Sequence, residues 1–108
     1  MTERRLTYAT AWVLQALAAG YRYGFDIAEA TGIRGGTVYP LLRRLEERGL
    51  VTAAWEAPEI GREEGRPPRK YYRLRPEAAE LVEASGRRHP WPADRTAAPS
   101  TPRGEVAS

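Results

Sequence analysis

Cationic side chains in two short stretches are the groups of this chain best suited to binding chemistry. One stretch is typical of a helix, GTVYPLLRRLEE, and the other of a proline-containing turn, GRPPRKYY. Guanidinium and ammonium groups bind phosphates, and the planar guanidinium fork also matches the two acceptors on the edge of guanine. The pattern therefore indicates contact with double-stranded DNA. The candidate contact residues are Thr37, Tyr39, Pro40, Arg43, Arg44, Arg66, Arg69 and Lys70.

The helical candidates have different expected roles. The hydroxyls of Thr37 and Tyr39 lie near a helix N-terminus, where free amides and the helix dipole favour a phosphate. Arg43 is expected to reach a guanine edge, a contact that discriminates between bases by about 1–3 kcal/mol. Arg44 is expected to bind a phosphate.

Each helical candidate also has a purely structural alternative. Arg43 and Arg44 can belong to a solvated helix face, paired with Glu47 or Glu46 in weak surface ion pairs. Tyr39 can equally be an aromatic residue at the edge of the core. The helix-turn-helix context described below favours the DNA-binding interpretation of the two arginines.

The turn candidates are expected to lie beside the helix along the same DNA. Arg66, Arg69 and Lys70 would contact the adjacent backbone or minor groove, and Pro67 and Pro68 would stiffen the turn so that less entropy is lost on binding. Loss of these cations should weaken binding to all sequences alike.

Three aromatic residues of the flanking strands are predicted to pack within a hairpin rather than to stack on bases. They are Trp55, Tyr71 and Tyr72. Because side chains alternate along a strand, one of the two tyrosines should point inward.

Composition excludes most catalytic chemistry. The 108 residues include no cysteine and a single histidine, His89, which excludes disulfide scaffolds, thiolate zinc sites and histidine-based dyads or metal sites. The pairs Glu46/Glu47 and Glu63/Glu64 are not suited to acid–base catalysis, because adjacent helical residues point apart. We therefore expect a protein that is not an enzyme and that has no metal or cofactor.

Positive charge is concentrated in one segment. The whole chain has a net charge of +3, whereas Arg62 to Arg75 contains six basic and two acidic residues, which gives +4. A local basic patch on an otherwise balanced protein suits a polyanion bound at one face. No apolar run approaches the roughly 20 residues of a membrane helix, and the first residues lack the apolar block of a secretory signal. A soluble cytoplasmic protein is expected.

Hydrophobic periodicity and turn residues predict four helices and two strands. The predicted helices are Thr7 to Ala19, Gly24 to Thr31, Gly36 or Thr37 to Arg48, and Pro76 to Arg88. The predicted strands are Leu50 to Glu56 and Lys70 to Arg75, a hairpin whose long tip is Ala57 to Arg69. The expected fold class is α+β, a winged helix-turn-helix with three helices, a two-stranded hairpin wing and a short C-terminal helix.

Three regions follow from this pattern. Residues 1–75 are predicted to form a winged helix-turn-helix DNA-binding domain, and residues 76–88 a C-terminal helix suited to dimerisation. Residues 89–108 are predicted to be a disordered, proline-rich tail, because they contain too few large apolar side chains to offset the entropy of ordering.

Four residues have the spacing of a helix-turn-helix. Ala28 is a small residue where two helices cross, Gly32 lies in the turn, and Val38 and Leu41 are apolar anchors on the second helix of the motif. Phe25 is expected to face inward together with Ala28. The second helix of such a motif presents its N-terminal part to the major groove.

The chain resembles the PadR family of transcriptional regulators in three segments, and the likeness extends from the first helix to Glu83. The segments are YGFDI at Tyr23 to Ile27, GTVYPLLRRLE at Gly36 to Glu46 and GRPPRKYYRL at Gly65 to Leu74. The resemblance implies a winged helix-turn-helix protein, usually a homodimeric repressor that releases DNA when a small molecule binds or when stress changes the dimer. The segment from Pro76 to Arg88 is shorter than the dimerising helix that the family leads us to expect.

Trp12, Leu81 and Val82 are the candidates for a dimer surface or an effector site. Trp12 is either a core residue or, because the first helix contributes to the dimer in this family, an aromatic side chain that faces a flat ligand between subunits. A winged-helix module that binds a protein partner instead of DNA is the competing function.

Overall fold

The computed structural model describes residues 6–92, and within them it contains five α-helices and one two-stranded antiparallel sheet. The elements in chain order are α1 (Tyr8–Ala18), α2 (Gly24–Thr31), α3 (Gly35–Glu47), β1 (Val51–Trp55), α4 (Pro58–Glu64), β2 (Lys70–Leu74), a single 3₁₀ turn (Pro76–Ala78) and α5 (Ala79–Arg88). The predicted α+β winged helix-turn-helix is confirmed.

Local signals set one end of α1 and one end of α2. The side-chain oxygen of Thr7 accepts a hydrogen bond from the backbone N–H of Thr10 at 3.2 Å, which satisfies a donor that a helix start leaves free. α2 ends at Gly32, whose φ of 76° lies in the left-handed region that glycine adopts without a Cβ clash. The chain therefore reverses at Gly32 and leads into α3, as the helix-turn-helix spacing predicts.

α3 is amphipathic, and its apolar side anchors it to α1, α2 and β1. The helix begins at Gly35, slightly earlier than predicted, so Pro40 lies in the second turn rather than the first. The proline ring removes the N–H that would bond the Gly36 carbonyl, and Gly36 lies at an exposed position. The buried residues of α3 are Val38, Leu41, Leu42 and Leu45.

The hairpin pairs β1 with β2 from Val51 opposite Leu74 to Trp55 opposite Lys70. Tyr72, which faces the core, is 6% exposed, and the prediction that one of the two adjacent tyrosines points inward is confirmed. Its backbone N–H donates to the carbonyl of Arg22 at 2.8 Å. This bond ties the segment before α2 to the hairpin, so the wing and the helix-turn-helix share one core.

The tip of the hairpin contains a helix where the sequence predicted only a long turn. α4 begins with Pro58 at a first-turn position, where its missing donor matters little, and ends at Gly65. Gly61 is buried beneath the following turn: a Cβ at this position would lie 2.6 Å from the Arg66 carbonyl oxygen. The prediction was wrong because Pro58 and Gly65, two of the residues read as loop signals, are the start and stop residues of a short helix.

α5 packs on α1, and the segment after it continues across the same surface. The Gln15 side chain joins the two: its Nε2 donates to the carbonyls of Ser85 and His89 at 3.2 and 2.8 Å, and its Oε1 accepts from the Trp91 backbone N–H at 3.0 Å. The Trp91 ring meets Tyr21 edge to face. The prediction of a disordered tail from residue 89 is therefore wrong for residues 89–91, and residues 93–108 lie outside the described part.

Within residues 6–92, no helix has both the length and the apolar character that crossing a membrane requires. The same residues contain no group of three or more His, Cys, Asp or Glu side chains placed to hold a metal ion.

Candidate nucleic-acid interface

The outward side of α3 carries the helical candidates. Thr37, Tyr39, Arg43 and Arg44 are exposed, and Pro40 is half-buried. Among residues 6–92, neither Arg43 nor Arg44 has a carboxylate oxygen within 4.0 Å. The alternative in which these arginines pair with Glu46 or Glu47 is therefore absent from the described structure. Both guanidinium groups are available to a ligand.

One flank of α3 faces the wing across a cleft of about 340 Å³, which we call the helix–wing cleft. It brings Tyr39 of α3 together with Arg69 and Lys70 of the wing. Two of the three predicted wing cations thus line the same cleft as Tyr39 of α3. The lining residues are Tyr23, Gly24, Phe25, Tyr39, Trp55, Arg69 and Lys70.

Close packing against α2 holds Tyr39 at the edge of the cleft. The backbone of Gly24 passes directly beneath the Tyr39 ring, and a Cβ on Gly24 would lie 2.3 Å from its Cε1. A side chain larger than hydrogen at position 24 would displace the ring. Tyr39 is nevertheless 46% exposed, so it is fixed at the core edge and still open to the cleft.

Aromatic rings position the two wing cations. The Lys70 Nζ lies 5.7 Å from the centroid of the Trp55 ring and 5.8 Å from that of Tyr72, distances at which an aromatic face attracts a cation. The Lys70 Nζ is also 3.8 Å from a Glu46 carboxylate oxygen on α3. The Arg69 guanidinium lies 5.1 Å from the Tyr23 ring. These contacts hold both charges at the cleft.

Arg66 has a different partner from the one the sequence suggested. Its guanidinium donates to both carboxylate oxygens of Glu56, at 2.6 and 3.1 Å, and to Glu64 at 2.8 Å. The guanidinium of Arg66 is thus occupied by two carboxylates of its own chain, whereas a contact of Arg66 with DNA stays a prediction. The sequence could not show this contact, which joins residues on opposite sides of α4.

Glu56 is the acceptor around which the base of the tip is organised. It is only 3% exposed, and besides Arg66 it accepts a hydrogen bond from the Arg69 backbone N–H at 3.1 Å. The Arg66 hydrogen bonds hold the pKa of this carboxyl below its ordinary value, against the opposing effect of burial. A charged Glu56 therefore fixes the backbone that leads to Arg69 and Lys70.

The other flank of α3 faces α1. Thr37 and Arg44 open there onto a second cavity of about 320 Å³, the α1–α3 groove, whose wall includes Leu6, Leu41 and Leu81. The DNA-binding candidates of α3 are thus divided between two flanks. Tyr39 faces the wing, whereas Thr37 and Arg44 line the groove beside α1.

A match to a protein-family model identifies the family of this chain. Residues 13–84 match the model of the transcriptional regulator PadR-like family. The chain belongs to the PadR-like family. This is a family of transcriptional regulators rather than of enzymes, and the match covers the helix-turn-helix, the wing and most of α5.

Three solved structures share the fold, and two of them are PadR family regulators. A point mutant of Lactococcus lactis ZitR is 22% identical, with a TM-score of 0.62 over 81% of this chain and 55% of that chain. A PadR family regulator of a hypervirulent Clostridium difficile is 23% identical, with a TM-score of 0.63 over 75% of this chain and 85% of that chain. One from Eggerthella lenta is 27% identical, with a TM-score of 0.55 over 71% and 70%.

The chain spans little more than half the length of the ZitR chain. A comparison with curated protein sequences gives no significant match.

The three candidates for a PadR-like dimer or effector surface lie on α1 and α5. Trp12, Leu81 and Val82 are each partly buried and pack against the core. The Trp12 ring meets Tyr8 edge to face at 5.2 Å between centroids, and Tyr8 is 55% exposed. α1 therefore presents an aromatic pair of which the outer member is open.

The sequence did not reveal the roles of three residues. Phe25 and Trp55 line the helix–wing cleft, and Glu56 holds the backbone at the base of the tip. Phe25, predicted to face inward, is 65% exposed, and Trp55, predicted to pack in the hairpin, is 66% exposed. The Phe25 prediction was wrong because periodicity indicates a face but not whether that face is covered. Trp55 does pack in the hairpin, with the Lys70 Nζ 5.7 Å from the centroid of its ring, but most of its surface stays exposed. Glu56 was missed entirely, although a carboxylate at a strand end before a basic turn is a signal that could have identified it.

Proposed function

We propose that this PadR-like protein is a sequence-specific double-stranded DNA-binding regulator, with α3 in the major groove and the wing on the adjacent backbone or minor groove. The observation that carries the proposal is the shared cleft: Tyr39 on α3 and the cations Arg69 and Lys70 on the wing face the same space. A helix and a wing that converge in this way fit the curved surface of one duplex. The net positive charge of the segment that forms the wing provides electrostatic attraction.

The residues of α3 divide into base-reading and positioning groups. Arg43, exposed and without an ion pair among residues 6–92, is proposed to read a guanine edge. Thr37, Tyr39, Pro40 and Arg44 are proposed to contact the backbone on either side of it. These contacts set the register of the helix in the groove, whereas Arg43 supplies the preference for one sequence.

Arg66 is proposed to position the wing rather than to bind DNA. Its bidentate contact with Glu56 leaves Arg69 and Lys70 as the wing contacts with phosphate. This division of roles is specific: loss of Arg66 should disturb the wing structure, whereas loss of Arg69 or Lys70 should remove charge only.

The active form is proposed to be a homodimer that binds a near-palindromic site. Tyr8 and Trp12 on α1 and Leu81 and Val82 on α5 supply the aromatic and aliphatic surface for a second copy. A two-fold dimer places its recognition helices about one helical turn, ~34 Å, apart along the DNA. Each half-site would then contribute one α3 and one wing.

Transcriptional repression in the cytoplasm, relieved by a small molecule, is the proposed output. The α1–α3 groove supports regulation by a ligand, because its wall includes Thr37 and Arg44, two of the proposed DNA contacts. A ligand in this groove would contact the recognition helix and α1 together. Binding there would be coupled to DNA release if the ligand prefers the conformation that does not fit DNA.

The test is a fluorescence anisotropy titration of the full chain with a duplex from the region upstream of its own coding sequence. A scrambled duplex of equal length and composition is the control, and light scattering after size exclusion gives the mass. We expect tighter binding to the upstream duplex by at least about a hundredfold and the mass of a dimer. Equal affinity for both duplexes, or binding to neither, would contradict the proposal, and the second result would favour a protein-binding module.

A further inference from the structure

Exposed aromatic side chains are concentrated at the helix–wing cleft. Residues 6–92 contain four large hydrophobic side chains that are strongly exposed. Three of them, Phe25, Tyr39 and Trp55, line this one cleft, and the fourth, Tyr8, lies on α1. The cleft thus combines an apolar wall with the two cations of the wing. Charge attraction alone does not account for the wall.

The position of Trp55 in the hairpin makes its exposure unusual. Because side chains alternate along a strand, Trp55 shares a face of β1 with buried Val51 and half-buried Ala53. That is the face turned toward α3, not the outer face that carries Thr52. Trp55 therefore points to the side of the hairpin that faces the core. It is the last residue of β1, and the helices of residues 6–92 leave it 66% exposed. Because burying the apolar surface of a tryptophan ring is favourable, an exposed Trp55 leaves a substantial stabilising free energy unused.

Phe25 also lines the helix–wing cleft, from α2 instead of the hairpin. Phe25 is the second residue of α2, next to Gly24. Both Phe25 and Tyr39 line the helix–wing cleft and also a neighbouring surface depression. Tyr39 is fixed by its contact with Gly24. Aromatic side chains from α2, α3 and β1 thus line one space together with the cations Arg69 and Lys70.

We propose that this cleft holds one sugar–phosphate strand of the duplex, with the apolar faces of its deoxyriboses packed against Trp55 and Phe25 and its phosphates bound by Arg69 and Lys70. The inference rests on the proposed DNA-binding function and extends it to an apolar component of binding. A DNA strand alternates anionic phosphates with largely apolar sugar faces, which matches a cleft lined by both cations and aromatic rings. The strand that runs between a major-groove helix and a minor-groove wing passes through this space.

The physical consequence separates this contact from an ion pair. Neutralising a phosphate releases counterions and makes affinity depend on salt, whereas burying an aromatic ring against a sugar does not. Loss of Trp55 should therefore lower affinity by a similar factor at every salt concentration. We expect about a tenfold loss for Trp55→Ala and a smaller one for Phe25→Ala.

The experiment measures DNA affinity of the full chain by fluorescence anisotropy across a series of salt concentrations. The variants are W55A, W55F, F25A and, as a matched control on the opposite face of β1, T52A. Circular dichroism and thermal unfolding verify that each variant folds, which is expected because Phe25, Thr52 and Trp55 are exposed. A second readout is the difference in tryptophan emission between the wild type and W55F as duplex is added.

For W55A we expect a lower affinity at every salt concentration, with the same slope of log K against log salt as the wild type. W55F and T52A should bind with near-normal affinity. Duplex should quench a part of the wild-type tryptophan emission that W55F lacks. Wild-type affinity in W55A with a normal wild-type response to duplex would overturn the inference and leave the proposed function intact. A reduced salt slope in W55A would also overturn it, because Trp55 would then act only by holding Lys70. Failure of the wild type to bind any duplex would overturn both proposals.

Discussion

The Glu56 carboxylate accepts two hydrogen bonds from the Arg66 guanidinium, at 2.6 and 3.1 Å, across the helix that forms the tip of the wing. Glu56 follows β1 and Arg66 follows α4, so the contact joins the two sides of the insertion. The same carboxylate accepts from the Arg69 backbone N–H. One buried acidic residue thereby fixes the backbone of Arg69, one of the proposed DNA contacts.

Glu56→Gln should destabilise the protein by about 1–3 kcal/mol, because the amide preserves the shape but removes an acceptor and a charge from a buried, hydrogen-bonded site. Thermal unfolding monitored by circular dichroism measures the change. Glu59→Gln, at an exposed position on α4, is the matched control and should be near neutral. Equal melting temperatures for the Glu56 variant and the wild type would contradict the role assigned to this contact.

The same contact predicts a dependence of stability on pH. The pKa of Glu56 is lowered on folding by the Arg66 hydrogen bonds, so its stabilising contribution is present above the ordinary carboxyl pKa of about 4.5 and is lost as the pH falls through the lower folded value. The difference in melting temperature between wild type and Glu56→Gln should therefore be largest near neutral pH and shrink below about pH 4. A difference that grew on acidification would have the wrong sign.

Gly24→Ala should lower DNA affinity with little loss of stability. The added Cβ would lie 2.3 Å from the Tyr39 ring, and the ring, as the end of a side chain, can rotate away. Gly35→Ala is a matched control, because its Cβ would meet the same ring at an ordinary 3.4 Å. Anisotropy titrations and melting curves for the two variants test this. Equal affinities would show that the position of Tyr39 is unimportant for binding.

Gly61→Ala should unfold or displace the wing tip, because the added Cβ would lie 2.6 Å from the Arg66 carbonyl oxygen, and backbone cannot move aside as a ring can. We expect a destabilisation of about 1–3 kcal/mol. Gly86→Ala on α5, where a Cβ meets nothing within 4 Å, should instead stabilise its helix by roughly 0.5–1 kcal/mol. Amide hydrogen exchange in the tip would separate local displacement from global loss. Unchanged exchange and stability in Gly61→Ala would refute this close packing.

Arg43→Ala should relax sequence preference at one base pair of each half-site, with a loss of about 1–3 kcal/mol on the best sequence and much less on a site already altered there. Arg44→Ala should weaken binding to all sequences by a similar factor. Affinities for a panel of single-base operator variants measure both. If the two variants lost affinity uniformly, Arg43 would be a phosphate contact like Arg44.

The order of elements other than α4 could be predicted from the sequence, because each of them has a local signal. Gly32 marks the turn, the apolar spacing of α3 marks its buried side, and alternation indicates that one of Tyr71 and Tyr72 points inward. These signals depend only on neighbours in the chain. They locate the positive side of α3 and the basic turn but do not relate one to the other.

What could not be predicted depends on contacts between distant residues. Arg66 was assigned to DNA because nothing local to it reveals Glu56, ten positions away across α4. Phe25 was placed inside from its position on α2, and Trp55 was predicted only to pack in the hairpin. The arrangement of α2, α3 and the hairpin leaves both side chains open. Trp91 lies in a proline-rich segment, and its packing depends on Gln15.

The most direct test of the central claim, that α3 and the wing face one DNA duplex, is the salt dependence of binding in Arg69→Ala/Lys70→Ala. Each phosphate contact contributes about 0.9 to the slope of log K against log salt, so the double variant should bind more weakly and with a slope smaller by about 2. Arg87→Ala/Arg88→Ala, which removes the same charge from the end of α5, should leave the slope close to that of the wild type. Parallel slopes for the wild type and the wing variant would contradict the account.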